Sequence, residues 1–190
     1  MEDNQKMSKA FEFALYALDI YRKVMVLVVF WSFWAIFFSK LEPTFIGNIL
    51  LSAVAFGLAI MPLLVDFNES HATNPLWTGH ARFHLVWQVL ALTITGIIVI
   101  LLLWVFPSFS NLLISVGLLY MWIICFLAAW AAIPLYDGKL NDINGVPPTH
   151  MKFFGKEYEI DRNVQGLVAA AIVTTSVSYT HLTLPTILRV

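Results

Sequence analysis

The chain has 190 residues, 59% of them hydrophobic and 12% charged, with 7 tryptophans and a mean hydropathy of +0.78. That balance excludes an ordinary soluble domain. A net charge of −1, from 11 basic and 12 acidic residues, supplies no basic surface for a nucleic-acid partner.

Glu2, Asp3, Glu12 and Asp19 precede or open the first apolar run and no small-residue cleavage site follows it, so this run is expected to stay in the mature protein. Lys9, Glu12, Tyr16, Asp19 and Lys23 recur at three- and four-residue steps, with Phe11, Leu15 and Leu18 on another side. The spacing predicts either an amphipathic helix lying on the membrane or a plain extension of the first span.

A hydrocarbon core about 30 Å thick takes roughly 20 helical residues. Four segments meet that need: 24–39, which is short but flanked by Lys23 and Lys40, then 45–65, 85–106 and 112–135. Unpaired backbone groups are too costly in hydrocarbon for isolated strands, and no alternating barrel pattern is present. The expected fold is therefore all-α, a polytopic transmembrane helical bundle forming one domain over residues 1–176. The lone Cys125 falls within the fourth span, where it forms no disulfide within the chain and reads as packing.

A fifth apolar run begins at Val164 and gives way at Thr174-Thr175-Ser176. Its continuation, VSYTHLTLPTILRV, resembles the peptide produced when a sequencing adapter is translated as coding sequence. That resemblance implies a non-native tail over 177–190, a shortened fifth helix, and no role in any site for His181.

Basic residues set the expected orientation. Lys6, Lys9, Arg22 and Lys23 precede the first span, Arg82 lies between the second and third, and Lys139, Lys152, Lys156 and Arg162 follow the fourth. Lys40 alone marks the other side, which places the N-terminus and both long polar loops in the cytoplasm. The segments LAIMPLLVDFN and WAAIPLYDGKL each place a proline before an acid, Pro62 with Asp66 and Pro134 with Asp137. They read either as a tandem two-helix repeat about an axis along the membrane normal or as two ordinary helix ends.

The densest polar stretch is HATNPLWTGHARFHLVWQ, residues 71–88. Asn74-Pro75 is a helix-start signal, with Asn as cap and Pro at the first helical position, so the third helix is expected to begin near Pro75. From there Trp77, His80, His84, Gln88 and Thr95 fall on one stripe, Arg82 elsewhere. His80 and His84, four residues apart, can present two imidazoles to one metal ion. His71, Asp66, Glu69 and Asp137, with Asp142 and His150, are the candidates to complete the set. Mixed His and carboxylate ligands suit iron, zinc or manganese. Ala81 stands where a zinc protease would carry its catalytic Glu. The same residues also read as interfacial anchors, with Arg82 on lipid phosphate, or as a ligand or proton path through Gln88 and Thr95. The second loop carries turns at Asp137-Gly138 and Asn144-Gly145 and a rigid Pro147-Pro148, and reads either as a solvated connector or as a segment whose acids and His150 fold back toward the first loop. Gly57, Gly96 and Gly117 mark candidate close helix approaches.

The stretch NPLWTGHARFHLVWQ, with its four or five spans, resembles small bacterial integral membrane proteins that share an Asn-Pro-x-Trp-x-x-His-Ala-Arg-Phe-His core and have no assigned activity. The resemblance implies that Asn74, Pro75, Trp77, His80, Arg82 and His84 matter to function. Three functions stay open: a metal-dependent membrane enzyme acting on a lipophilic small molecule, a small-molecule or proton-coupled transporter, and a non-catalytic membrane subunit. The lipid bilayer is the expected partner in all three, and homo-oligomers fit each.

Overall fold

The computed structural model describes residues 8–140 and 145–187, with side chains up to residue 179. The elements in chain order are α1 (Lys9–Phe38), α2 (Pro43–Val65), α3 (Gly79–Trp104), α4 (Phe109–Ala131), the short α5 (Ile133–Tyr136), strands β1 (Thr149–Phe153) and β2 (Lys156–Ile160), and α6 (Arg162–Ile187). Among the described residues, α1 to α4 are long and apolar enough to cross a membrane. The chain is an all-α bundle and an integral membrane protein.

Three of the long helices begin where a side chain satisfies a free N–H group. The hydroxyls of Ser8, Thr78 and Ser108 accept hydrogen bonds from Phe11, Ala81 and Asn111, and Pro43 opens α2, where a missing donor is harmless. The first polar segment is not a separate surface helix. It runs without a break into the span as a helix of 30 residues, about 45 Å long at the usual rise, so its first turns stand outside a 30 Å core. The third helix begins at Gly79 with Thr78 as its cap, four residues later than Asn74-Pro75 suggested.

The core is built around α2. Leu51, Val54 and Ala55 pack with Met25 of α1, Val99 and Leu103 of α3, Val116 and Leu119 of α4, and Val173 and Val177 of α6. Polar side chains tie the helices together inside this apolar frame. Tyr21 Oη donates to Ala53 O at 2.9 Å, Asn48 Nδ2 to Leu103 O at 3.3 Å, Trp104 Nε1 to Ser52 Oγ at 2.7 Å, and Thr93 Oγ1 to Ala59 O at 2.9 Å. Two of the three glycines do mark close approaches. A Cβ on Gly96 would strike Ala55 and Ala59 of α2, and one on Gly57 would strike the Tyr21 ring, whereas one on Gly117 would meet nothing within 4 Å. Large apolar side chains are exposed around every span, among them Phe30, Trp34, Ile94 and Ile124. Such a surface suits hydrocarbon contact and not water.

The two proline–acid pairs differ in local structure. Pro62 lies inside a continuous α2, which Asp66 ends by bonding its N–H back to Pro62 O. Pro134 follows a break at Ala132, and Asp137 takes a left-handed conformation with φ 52°. The fifth apolar run does not stop at Thr174-Thr175-Ser176; α6 continues through it against α2 and α4, with Thr175 Oγ1 and Tyr120 Oη 2.7 Å apart.

The second loop is more than a connector. It forms an antiparallel hairpin pairing Thr149 with Ile160 and Phe153 with Lys156. The two turn residues, Phe154 and Gly155, both have positive φ, 48° and 74°, as a two-residue hairpin turn matching strand twist requires. Val146 anchors the approach to the hairpin by packing with Phe11, Ala14 and Val65.

Candidate functional site

The polar end of the bundle gathers the start of α1, the loop from Asp66 to Thr78, and the hairpin. Its centre is a loop whose backbone groups are bonded by its own side chains. Asn68 Nδ2 donates to Leu64 O and Val65 O at 3.0 and 2.8 Å, capping α2, while its Oδ1 accepts from Ser70 N at 2.9 Å. Asn74 is buried; its Nδ2 donates to Ser70 O at 3.1 Å and its Oδ1 accepts from Leu76 N at 2.9 Å. Asn74 thus closes an Asx turn instead of capping α3, and the exposed Pro75 fits the turn. Asn68 and Ser70, which carry so much of this loop, stand out in no periodic pattern; the only signal was the concentration of turn-forming residues from 66 to 75.

Inside the loop Asp66 and His71 meet. His71 Nδ1 lies 3.6 Å from Asp66 Oδ1, and the two side chains retain only 22% and 27% of their exposure. Burial pushes the Asp66 carboxyl from an ordinary 3.8 up to about 7 and pulls His71 below its usual value, because both charged forms lose water. Ser70 Oγ stands 2.7 Å from the same His71 Nδ1 and donates its hydrogen to Val65 O at 3.0 Å. Which group donates at Nδ1 depends on the His71 tautomer and on whether Asp66 holds its proton. Ser70 and Asp66 converge on one ring nitrogen, whereas a nucleophilic triad needs them on opposite nitrogens. The arrangement can hold and release a proton; it does not activate Ser70. The Trp77 ring closes over His71, edge to face at 5.3 Å between centroids.

Glu69 is engaged elsewhere. Its Oε1 accepts from Ser8 N at 3.0 Å, which ties the loop to the start of α1, and hydrogen bonding from the Ser8 side chain, more than from its backbone, holds this carboxyl below its usual range. Asp137 is exposed beyond α5, and His150 stands on the hairpin, 3.7 Å from Glu159. Asp142 lies outside the described residues.

His80 and His84 do come together. Their Nε2 atoms face each other at 3.0 Å across one turn of α3, on an exposed face. Among the described residues no group of three or more His, Cys, Asp or Glu is placed to share a metal ion; His71, Asp66, Glu69 and Asp137 do not reach this pair. The stripe also looks outward. Gln88 is exposed, and Thr95 bonds to Ala91 O of its own helix at 2.8 Å, while the buried face of α3 is Val89, Leu92, Gly96, Val99 and Leu103. Thr93, off the expected stripe, is the residue that crosses to α2. Arg82 has a buried Nε with no hydrogen-bond partner, and Phe83 and Trp87 flank His84 with exposed rings.

Compared with known proteins, the chain matches no family model, and no curated protein or solved structure is significantly similar to it.

Proposed function

We propose that the protein is a proton-coupled transporter of a small lipophilic molecule in a bacterial inner membrane, N-terminus in the cytoplasm, with the coupled proton carried by Asp66 and His71. The observation that carries this reading is the desolvated carboxylate–imidazole couple at the end of α2, 3.6 Å apart. A coupling site must change occupancy near the working pH, and an acid raised to about 7 does so where an ordinary carboxylate does not. The basic residues clustered at the same end, under the positive-inside rule, support its facing the cytoplasm.

Infrared titration of the reconstituted protein tests the site. A protonated carboxyl band fading with a midpoint near pH 7, and missing from Asp66→Asn, is expected. In proteoliposomes holding a pH dye, a panel of lipophilic amines and acids should then move protons with the wild type and not with the variant. A carboxyl set that titrates wholly in the ordinary range would sink the proposal.

A second reading, the metal-dependent enzyme, is favoured by one separate observation: two Nε2 atoms already aimed at a common point. Iron, zinc or manganese between them needs further ligands from substrate, water or another copy of the chain. Elemental analysis decides it. About one metal ion per chain or per pair of chains, lost in the His80→Ala, His84→Ala double variant, supports that reading; no metal in the wild type ends it.

A further inference from the structure

The hairpin β1–β2 has two unlike faces. Its register places Met151, Phe153 and Tyr158 on one side, with Lys156 as the only charged residue there. His150, Lys152, Glu157 and Glu159 share the other side, where His150 Nδ1 lies 3.9 Å from Glu157 and 3.7 Å from Glu159. Both carboxylates are thus kept off the apolar face. At the tip the Phe153 and Phe154 rings meet at 4.5 Å between centroids. Phe154 is 93% exposed, Phe153 63%, and Met151 and Tyr158 47% each. A hairpin this short is marginal in water unless its apolar face is covered.

Where the hairpin is rooted indicates the cover. Arg22 donates to Thr149 Oγ1 at 3.2 Å, and Arg162, just after β2, pairs with Asp19 at 3.1 Å. Asp19 and Arg22 occupy the last polar turn of α1, immediately before the apolar run that opens at Val24. The root therefore sits at the boundary between water and hydrocarbon. A five-residue strand reaches about 17 Å from there, enough to run along the headgroups. An apolar face whose only charge is a lysine, beside two aromatic rings, matches an anionic lipid surface: the rings enter the acyl boundary while the ammonium stays at the phosphates.

We propose that this hairpin lies on the bilayer as a lipid-binding element, with Phe153 and Phe154 inserted and Lys156 on anionic headgroups. The inference does not depend on the proton site. The test uses full-length protein carrying Cys125→Ser and Phe154→Cys, labelled at residue 154 with an environment-sensitive fluorophore and placed in nanodiscs. The expected result is blue-shifted emission, quenched by lipids spin-labelled near the headgroup. Both effects should be larger with phosphatidylglycerol than with phosphatidylcholine alone, and that difference should be lost in Lys156→Gln. Emission as in water, or a blue shift that spin-labelled lipid does not quench because a second copy covers the tip, overturns the proposal. Insertion indifferent to headgroup charge overturns its assignment to anionic lipid.

Discussion

Replacing Gly96 with leucine is expected to force α2 and α3 apart and to abolish recovery of a folded, monodisperse protein. A bare Cβ at this position already meets the Ala55 carbonyl, with Ala59 Cβ at 2.8 Å and Ala59 N at 3.1 Å. Two of these three obstacles are backbone atoms, which cannot rotate away. Overpacking of a tight contact costs about 1–3 kcal/mol where side chains can adjust, and here the helix itself has to move. In hydrocarbon no hydrophobic pull closes the gap again, since lipid covers apolar surface as well as protein does; close contact and interhelical hydrogen bonds hold the pair. Separation would also break the bond from Thr93 to Ala59 one turn away and strain those from Asn48 to Leu103 and from Trp104 to Ser52, each worth about 0.6 kcal/mol in membranes. Gly117→Leu is the matched control, since a Cβ there meets nothing within 4 Å. Gel filtration and thermal unfolding in detergent should show loss for the first variant and near-native behaviour for the second. Equal behaviour would falsify the assignment of Gly96 as the point of closest helix approach.

The second large effect is on stability against pH. Asp66 binds its proton more tightly when folded, near 7, than when unfolded, near 3.8. Between those values the folded state holds more protons than the unfolded state, so stability falls as pH rises, by at most about 4 kcal/mol in all. Below the unfolded value the neutral acid is present in both states and the penalty vanishes; above about 7 the penalty is complete and flat. His71 acts in the opposite sense. Its depressed folded value removes stability as pH drops below the ordinary imidazole range. Wild-type stability is thus expected to decline from weakly acid to neutral pH by less than the Asp66 contribution alone, and Asp66→Asn to lose that decline and gain at neutral pH. Thermal midpoints across the pH range are the measurement, and an unchanged slope in Asp66→Asn contradicts the account.

The spans were legible because a bilayer demands length and apolarity, and residues 45–65 and 85–106 supply both with few interruptions. What such runs leave out is direction. Apart from its polar stripe, α3 is apolar both where it meets lipid and where it meets α2, so the spacing that sets His80, His84 and Gln88 on one stripe does not tell that the stripe faces out. Asn74 is ambiguous for a related reason: the same side-chain oxygen that caps a helix also closes an Asx turn, and Thr78, itself a capping residue, follows four residues on. The pairing of Asp66 with His71 depended on how Asn68 folds the loop back, which no period encodes. The hairpin gives little sequence signal because its strands are five residues each and its turn is Phe-Gly in place of the usual Asn-Gly.

A residue in the left-handed region is ordinarily Gly or Asn, and another L-residue gives up about 1–2 kcal/mol of local stability to be there. Phe154, at φ 48°, accepts that loss while, among the described residues, its ring makes its close aromatic contact with the adjoining Phe153. A sequence chosen for the comfort of the backbone would place Asn at 154 and make a sturdier hairpin. The present one trades sturdiness for an aromatic ring held forward, 93% exposed at the tip of the hairpin.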